Sequence, residues 1–235
     1  MVISMFLAHL IGDYILQWDA LALWKSRALK GVLLHGMIVL LVTWVLILPF
    51  DPAWWPWALL IGLTHTAVDA GWLLTRHLPE RGRMSPPFRF VIDQSLHVII
   101  IVVALTSSGY LPMPELPKVM LTEAQNYRWL AFLMGYVFIS MPAWIVIEFA
   151  IYGLVRGSAP DFSPSAHKYV SILERGLITT LVVLGQFGLV PLVALPRLVF
   201  EKPQMIDSGR TRPYVAELLA SIALAVAIGL GLRLL

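Results

Sequence analysis

The chain contains no cysteine. Disulfides, thiolate nucleophiles and sulfur-ligated metals are thereby excluded, and any bound metal has to be held by nitrogen and oxygen. Charge is scarce too. Asp, Glu, Lys and Arg make up 13% of the 235 residues, against about 25% in soluble domains. There is no GxSxG nucleophile motif, no glycine-rich phosphate loop, no internal repeat and no long polar stretch that would form a soluble domain. The N-terminus carries no positive run before its apolar stretch and no small-residue cleavage site, so it is not read as a removable signal peptide.

What the chain has instead is apolar length. Hydrophobic residues account for 59% and the mean hydropathy is +0.80. Seven apolar segments stand out: Val2–Leu16, Gly31–Phe50, Trp54–Thr75, Phe88–Ser107, Trp129–Val155, Val170–Val199 and Val215–Leu232. A spanning helix needs about 20 such residues. The expectation is an all-α, polytopic transmembrane helix bundle of about six or seven segments, some short, kinked or re-entrant. It would form one integral membrane domain over 1–235, with a polar-motif half at 1–108, a loop at 109–128 and C-terminal helices at 129–235. Pro142, Pro191 and Pro196 predict breaks in the later segments.

Net charge is only +3, and the basic residues sit in short loops. That pattern fits the positive-inside rule and not a nucleic-acid surface. Lys25, Arg27 and Lys30, then Arg76, Arg81, Arg83 and Arg89, place two loops on the cytoplasmic side of a bacterial inner membrane. Strict alternation leaves Arg197, Lys202, Arg210 and Arg212 outside, so the path of the last third stays open. Trp54, Trp55 and Trp57 read as an interfacial aromatic belt.

Against this apolar background the ionisable residues are conspicuous, since each costs about 2.5–3.5 kcal/mol on insertion scales. The first segment reads HLIGDYILQ, with His9, Asp13 and Gln17 four apart. The second contributes His35. The third reads HTAVDAGW, with His65 and Asp69 at i and i+4, and the fourth reads DQSLH, with Asp93, Gln94 and His97. Residues four apart share a helical face. Counted from the basic loops, the four histidines and three aspartates fall in a slab about 6–17 Å below one membrane face. A single His–Asp pair reads equally well as a hydrogen-bonded lock between helices. Four helices bringing such groups to one depth point to a common site.

Four imidazoles and three carboxylates suit one or two divalent cations, with zinc first and manganese or iron as alternatives. The candidate ligands are His9, Asp13, His35, His65, Asp69, Asp93 and His97. Asp13 and Asp93 are the candidate catalytic bases. Gln17, Gln94, Glu148, Glu174, Arg175 and Arg89 are candidates for support of the ligands or for substrate contact. His77 and His167 have no partner at helical spacing.

These four motifs, in this order, resemble an uncharacterised bacterial and archaeal membrane family, "domain of unknown function 3307", whose members open with a similar HLxxDFxLQ stretch. The resemblance covers about residues 6–105, and ILERGLITTLVVLGQFG at 172–188 is similar to the C-terminal half of longer members. Tyr14 stands where Phe is common, a conservative departure. A looser likeness is to membrane-bound metal-dependent hydrolases, whose usual His-Arg opening this sequence lacks. The family implies membership without an activity.

Three functions compete at this stage. One is a metal-dependent hydrolase acting on a lipid or lipid-linked substrate near the cytoplasmic leaflet, with Arg76, Arg89 or Lys30 holding an anionic head group. Another is a transporter of divalent cations or protons, which should show access from both faces and often inverted repeats. The third is a non-catalytic subunit of a larger membrane complex. Membrane lipids are the expected surroundings, and assembly as a homo-oligomer or within a larger complex is open.

Overall fold

A computed structural model describes residues 1–75, 84–113, 115–151, 166–196 and 211–235. Arg76, Arg81, Arg83, His77, Arg197, Lys202 and Arg210 lie outside the described residues, as does the side chain of His167. A hydrocarbon solvent leaves backbone groups no partner but one another, which favours helices. Among the described residues there is no strand. The described helices include α1 (Val2–Leu10), α2 (Asp19–Lys25), α3 (Leu29–Ile47), α4 (Trp55–Thr75), α5 (Pro86–Ser107), α6 (Leu116–Asn126), α7 (Arg128–Ile139), α8 (Met141–Ile151), α9 (Ala166–Val183) and α10 (Thr211–Arg233), with a further short apolar helix at Phe187–Pro196.

Among the described residues, four helical stretches are long and apolar enough to cross a membrane: Leu29–Ile47, Pro52–Thr75, Pro86–Ser107 and Arg212–Arg233. The pair α7 and α8, bent by 41° at its break, makes five if counted as one span. The expected count of six or seven is not confirmed among the described residues, and two of the expected segments depart from a regular span. The first is α1 plus a five-residue π-helical turn at Ile11–Ile15, too short for a regular span. The sixth carries Lys168, Glu174 and Arg175 within α9 and is interrupted by Gly185, whose φ is +76°.

The chain divides into two compact units, Met1–Met134 and Gly135–Leu235. In the first, α1, α3, α4 and α5 pack at the end away from Lys25 around Met5, Ile47, Trp54, Ile61, Ile101 and Leu105. Trp54 is therefore buried core; Trp55 is the exposed member of the expected aromatic belt. The stretch expected as a loop contains α6, whose Glu123 caps α1. Its carboxylate accepts from the Val2 and Ile3 amides at 3.0 and 2.9 Å and from the Met1 amine at 2.9 Å. An acid at a helix N-terminus satisfies free N–H groups and complements the dipole.

In the second unit α9 and α10 approach closely over Ser221, Ala225 and Gly229, a small residue at each turn. A Cβ on Gly229 would lie 2.8 Å from Val182 Cβ and 3.0 Å from the Thr179 carbonyl oxygen. Arg175 is fully buried, and its guanidinium donates to the carbonyls of Ile139 at 2.7 Å and Ser140 at 3.1 Å, and to Ser221 Oγ at 3.1 Å. Both carbonyls lie at the break between α7 and α8, beside Pro142, and the Ser140 carbonyl also accepts the Trp144 amide at 3.3 Å, so the arginine bridges the break. Arg175→Met should lower the stability of the detergent-solubilised protein by about 3 kcal/mol. Arg175→Lys should not restore it, because one ammonium cannot reproduce the planar fork. Thermal unfolding followed by circular dichroism measures both.

Candidate metal centre

Close helix approach builds the site. A Cβ on Gly12 would meet Val39 Cγ2 at 3.1 Å and Val39 Cα at 3.3 Å, so glycine lets the π-helical turn lie against α3. A Cβ on Gly36 would collide with Thr66 Oγ1, and one on Gly62 would lie 2.7 Å from Leu40 Cβ, so α3 and α4 are nearly in backbone contact. His35 and His65 directly precede Gly36 and Thr66. Their side chains consequently meet.

The two Nε2 atoms of His35 and His65 are 3.1 Å apart. Asp13 Oδ1 lies 3.0 Å from His35 Nε2 and 3.6 Å from His65 Nε2. Asp69 Oδ2 lies 3.6 Å from His35 Nε2 and 3.4 Å from His65 Nε2. All four residues are buried. The i, i+4 pairs share faces as expected; His65–Asp69 is close at 3.4 Å, whereas His9–Asp13 and Asp93–His97 are longer, at 4.0 and 3.8 Å. The shortest contacts run between helices.

Gln94 ties these groups together. Its amide nitrogen donates to Asp13 Oδ2 at 3.1 Å and Asp93 Oδ2 at 3.0 Å. Its oxygen accepts from the Tyr14 hydroxyl at 2.6 Å and lies 3.1 Å from His9 Nε2. Both ends of the amide are thus fully used. His97 stacks on His65, with ring centroids 4.0 Å apart. Neither nitrogen of the buried His97 ring has a hydrogen-bond partner among the described residues, and neither do His35 Nδ1 and Asp93 Oδ1.

Buried polar atoms are normally satisfied, and orphaned ones beside a set of carboxylates and imidazoles are what a metal-binding cluster presents. Three overlapping groups bring ligand atoms within 4.8 Å of one another: Asp13, His35 and His65; His65, Asp69 and His97; and Asp13, Asp93 and His97. Six of the seven sequence-derived ligand candidates are thereby gathered, and His9 joins through Gln94. A small cavity with room for about one water molecule adjoins His9, His65 and His97 and is otherwise walled by apolar side chains and Thr43.

The remaining candidates divide. Gln17 lies past the π-helical turn, and its buried side-chain oxygen finds no partner among the described residues. Arg89 is exposed, with its guanidinium 5.1 Å above the Trp72 ring. Glu148, Glu174 and Arg175 are buried residues of the second unit.

Two participants were missed by sequence reasoning. Lys25, read only as a loop charge, places Nζ 3.2 and 3.1 Å from the two oxygens of Asp69. The signal was its spacing of four from Leu21, the buried residue of α2. Tyr14, read as a conservative departure from Phe, supplies the hydroxyl that Gln94 accepts.

The sequence model of the family described as "Protein of unknown function (DUF3307)" matches residues 1–145, and the chain belongs to that family. No curated protein and no solved structure matches it.

The hub position of Gln94 has a measurable consequence. Tyr14→Phe should cost about 1 kcal/mol and Gln94→Leu about 2–3 kcal/mol. The double variant should be no less stable than Gln94→Leu alone, because the tyrosine acts through that amide. Thermal unfolding of the three variants in detergent tests this.

Proposed function

We propose that this family member is a metal-dependent hydrolase of a bacterial cytoplasmic membrane, with zinc held by Asp13, His35, His65 and Asp69 and a lipid or lipid-linked substrate. The spacing of these donors carries the reading. Bonds of about 2.0–2.1 Å to tetrahedral zinc set ligand atoms about 3.3–3.4 Å apart. The contacts between the two imidazoles, and from each to the two carboxylates, span 3.0–3.6 Å, five of the six edges of such a set. Asp13, His35 and His65 form one group of ligand atoms within 4.8 Å of one another, and Asp69 joins His65 and His97 in another. Manganese and iron also accept nitrogen and oxygen donors; the two imidazoles and the tight spacing favour zinc.

A divalent ion held by these residues would supply Lewis-acid chemistry, activating water near neutral pH and polarising the scissile group. The chain supplies the rest. Asp93 stands outside the four donors with Oδ1 free of hydrogen bonds, which suits a general base; Asp13 is engaged as a donor. Gln94 holds Asp93 and Asp13 in fixed relation. His97, stacked on His65 and beside the small cavity, is placed to accept or return a proton. Lys30 and Arg89 are exposed at the end of the helices that carries Lys25, where an anionic head group of an amphiphile entering sideways would be met.

One observation favours a second reading. The ammonium of Lys25 on Asp69 already brings a positive charge to the cluster, as a metal-free proton path or structural lock would require.

Elemental analysis of the purified, detergent-solubilised chain separates the two. Near-stoichiometric zinc is expected in the native protein, lost in His65→Ala and Asp69→Ala and retained in Arg89→Gln. A native protein with no transition metal would overturn the proposal. Turnover of lipid phosphates, esters or amides, abolished in Asp93→Asn with zinc retained, is the expected activity. Zinc or proton flux in proteoliposomes without turnover would assign the site to transport.

A further inference from the structure

Lys25 sits close to the basic end of the helices, where a lysine ordinarily extends its ammonium outward to water and head groups. Its neighbours Arg27 and Lys30 are exposed. Lys25 turns the other way, and its side chain is only 19% exposed. The backbone holds it there. A Cβ on Gly31 would lie 2.6 Å from both the Lys25 nitrogen and the Trp24 carbonyl carbon. The end of α2 is therefore seated against the start of α3, while Leu21, one turn earlier on the same face, is buried. The ammonium meets both oxygens of Asp69.

Three carboxylates share this region. Asp13 and Asp93 receive the same amide group of Gln94, and Asp69 faces Asp13 across His35 and His65. Among the described residues Lys25 is the cation paired with them. Ligating histidines are neutral. Among the described residues, three carboxylates and one ammonium leave two negative charges in a largely buried cluster, where net charge is costly. One divalent cation cancels them; a second would leave two positive charges. The overlapping donor groups would by geometry alone admit two ions.

From this we infer that Lys25 is a tethered counter-ion that limits the centre to one divalent cation. Asp69 then divides its oxygens, one toward the ion and one toward the ammonium. Asp93 and His97 remain on the side left for substrate. The inference rests on the metal reading given above and deepens it.

The test is zinc binding by the full chain in detergent, titrated against a chelating indicator and checked by elemental analysis. Native protein should saturate at one zinc per chain. Lys25→Met removes the charge that opposes the ion and should tighten zinc binding about tenfold or more. Lys25→Arg, which keeps the charge, should match the native affinity within about threefold. Two zinc ions per native chain, or a Lys25→Met protein that binds zinc no more tightly than native, would overturn the inference while leaving the metal centre standing. If Lys25→Met fails to fold, the native stoichiometry and Lys25→Arg still decide. No zinc in the native protein would remove both.

Discussion

A hydrocarbon core offers a buried imidazole or carboxylate no partner except the protein itself. Each helix of the first unit that carries such groups must therefore turn them toward the others, and the helices must come close enough for them to meet. The glycines at 12, 36 and 62 make that approach sterically feasible, and the polar contacts of 3.0–3.6 Å follow from it. Polar convergence and helix packing are here one constraint, satisfied at the same residues.

The most legible part of the site was the depth of its residues. Histidine and aspartate four apart, counted inward from basic loops, identified the groups that the structure gathers. Which of them touch was not legible, because that depends on inter-helix register. The expected unit was the i, i+4 pair; the observed one is His35 with His65, Asp13 and Asp69, drawn from the π-helical turn, α3 and α4. Sequence pattern also carried no sign of the π-helical turn at Ile11–Ile15, which is closed by the Leu16 amide on the Ile11 carbonyl at 2.8 Å. Turns of this kind often mark functional positions, and Asp13 lies within this one.

For the fold, helical class and the main apolar stretches were readable from composition. The span count was not, since hydropathy treats an apolar stretch as continuous wherever charge is sparse. It could not show that Arg175 would be used to bridge the Ile139–Ser140 break, or that the 109–128 connection would contribute α6 and place Glu123 on the first helix. In both cases a charged side chain satisfies backbone groups at a helix end far away in sequence.

The brevity of the first helix bears on how anything reaches the centre. Nine α-helical and five π-helical residues extend about 20 Å, against a hydrocarbon thickness of about 30 Å. Immediately after it, α2 exposes Leu23 and Trp24, with Trp18 just ahead of it, side chains that settle at the head-group level. A mismatch of this size is relieved by local thinning of the bilayer. Thinning on that side of the bundle would draw lipid head groups toward the depth of Asp13 and Asp69 and shorten the path from the head-group layer to the cluster.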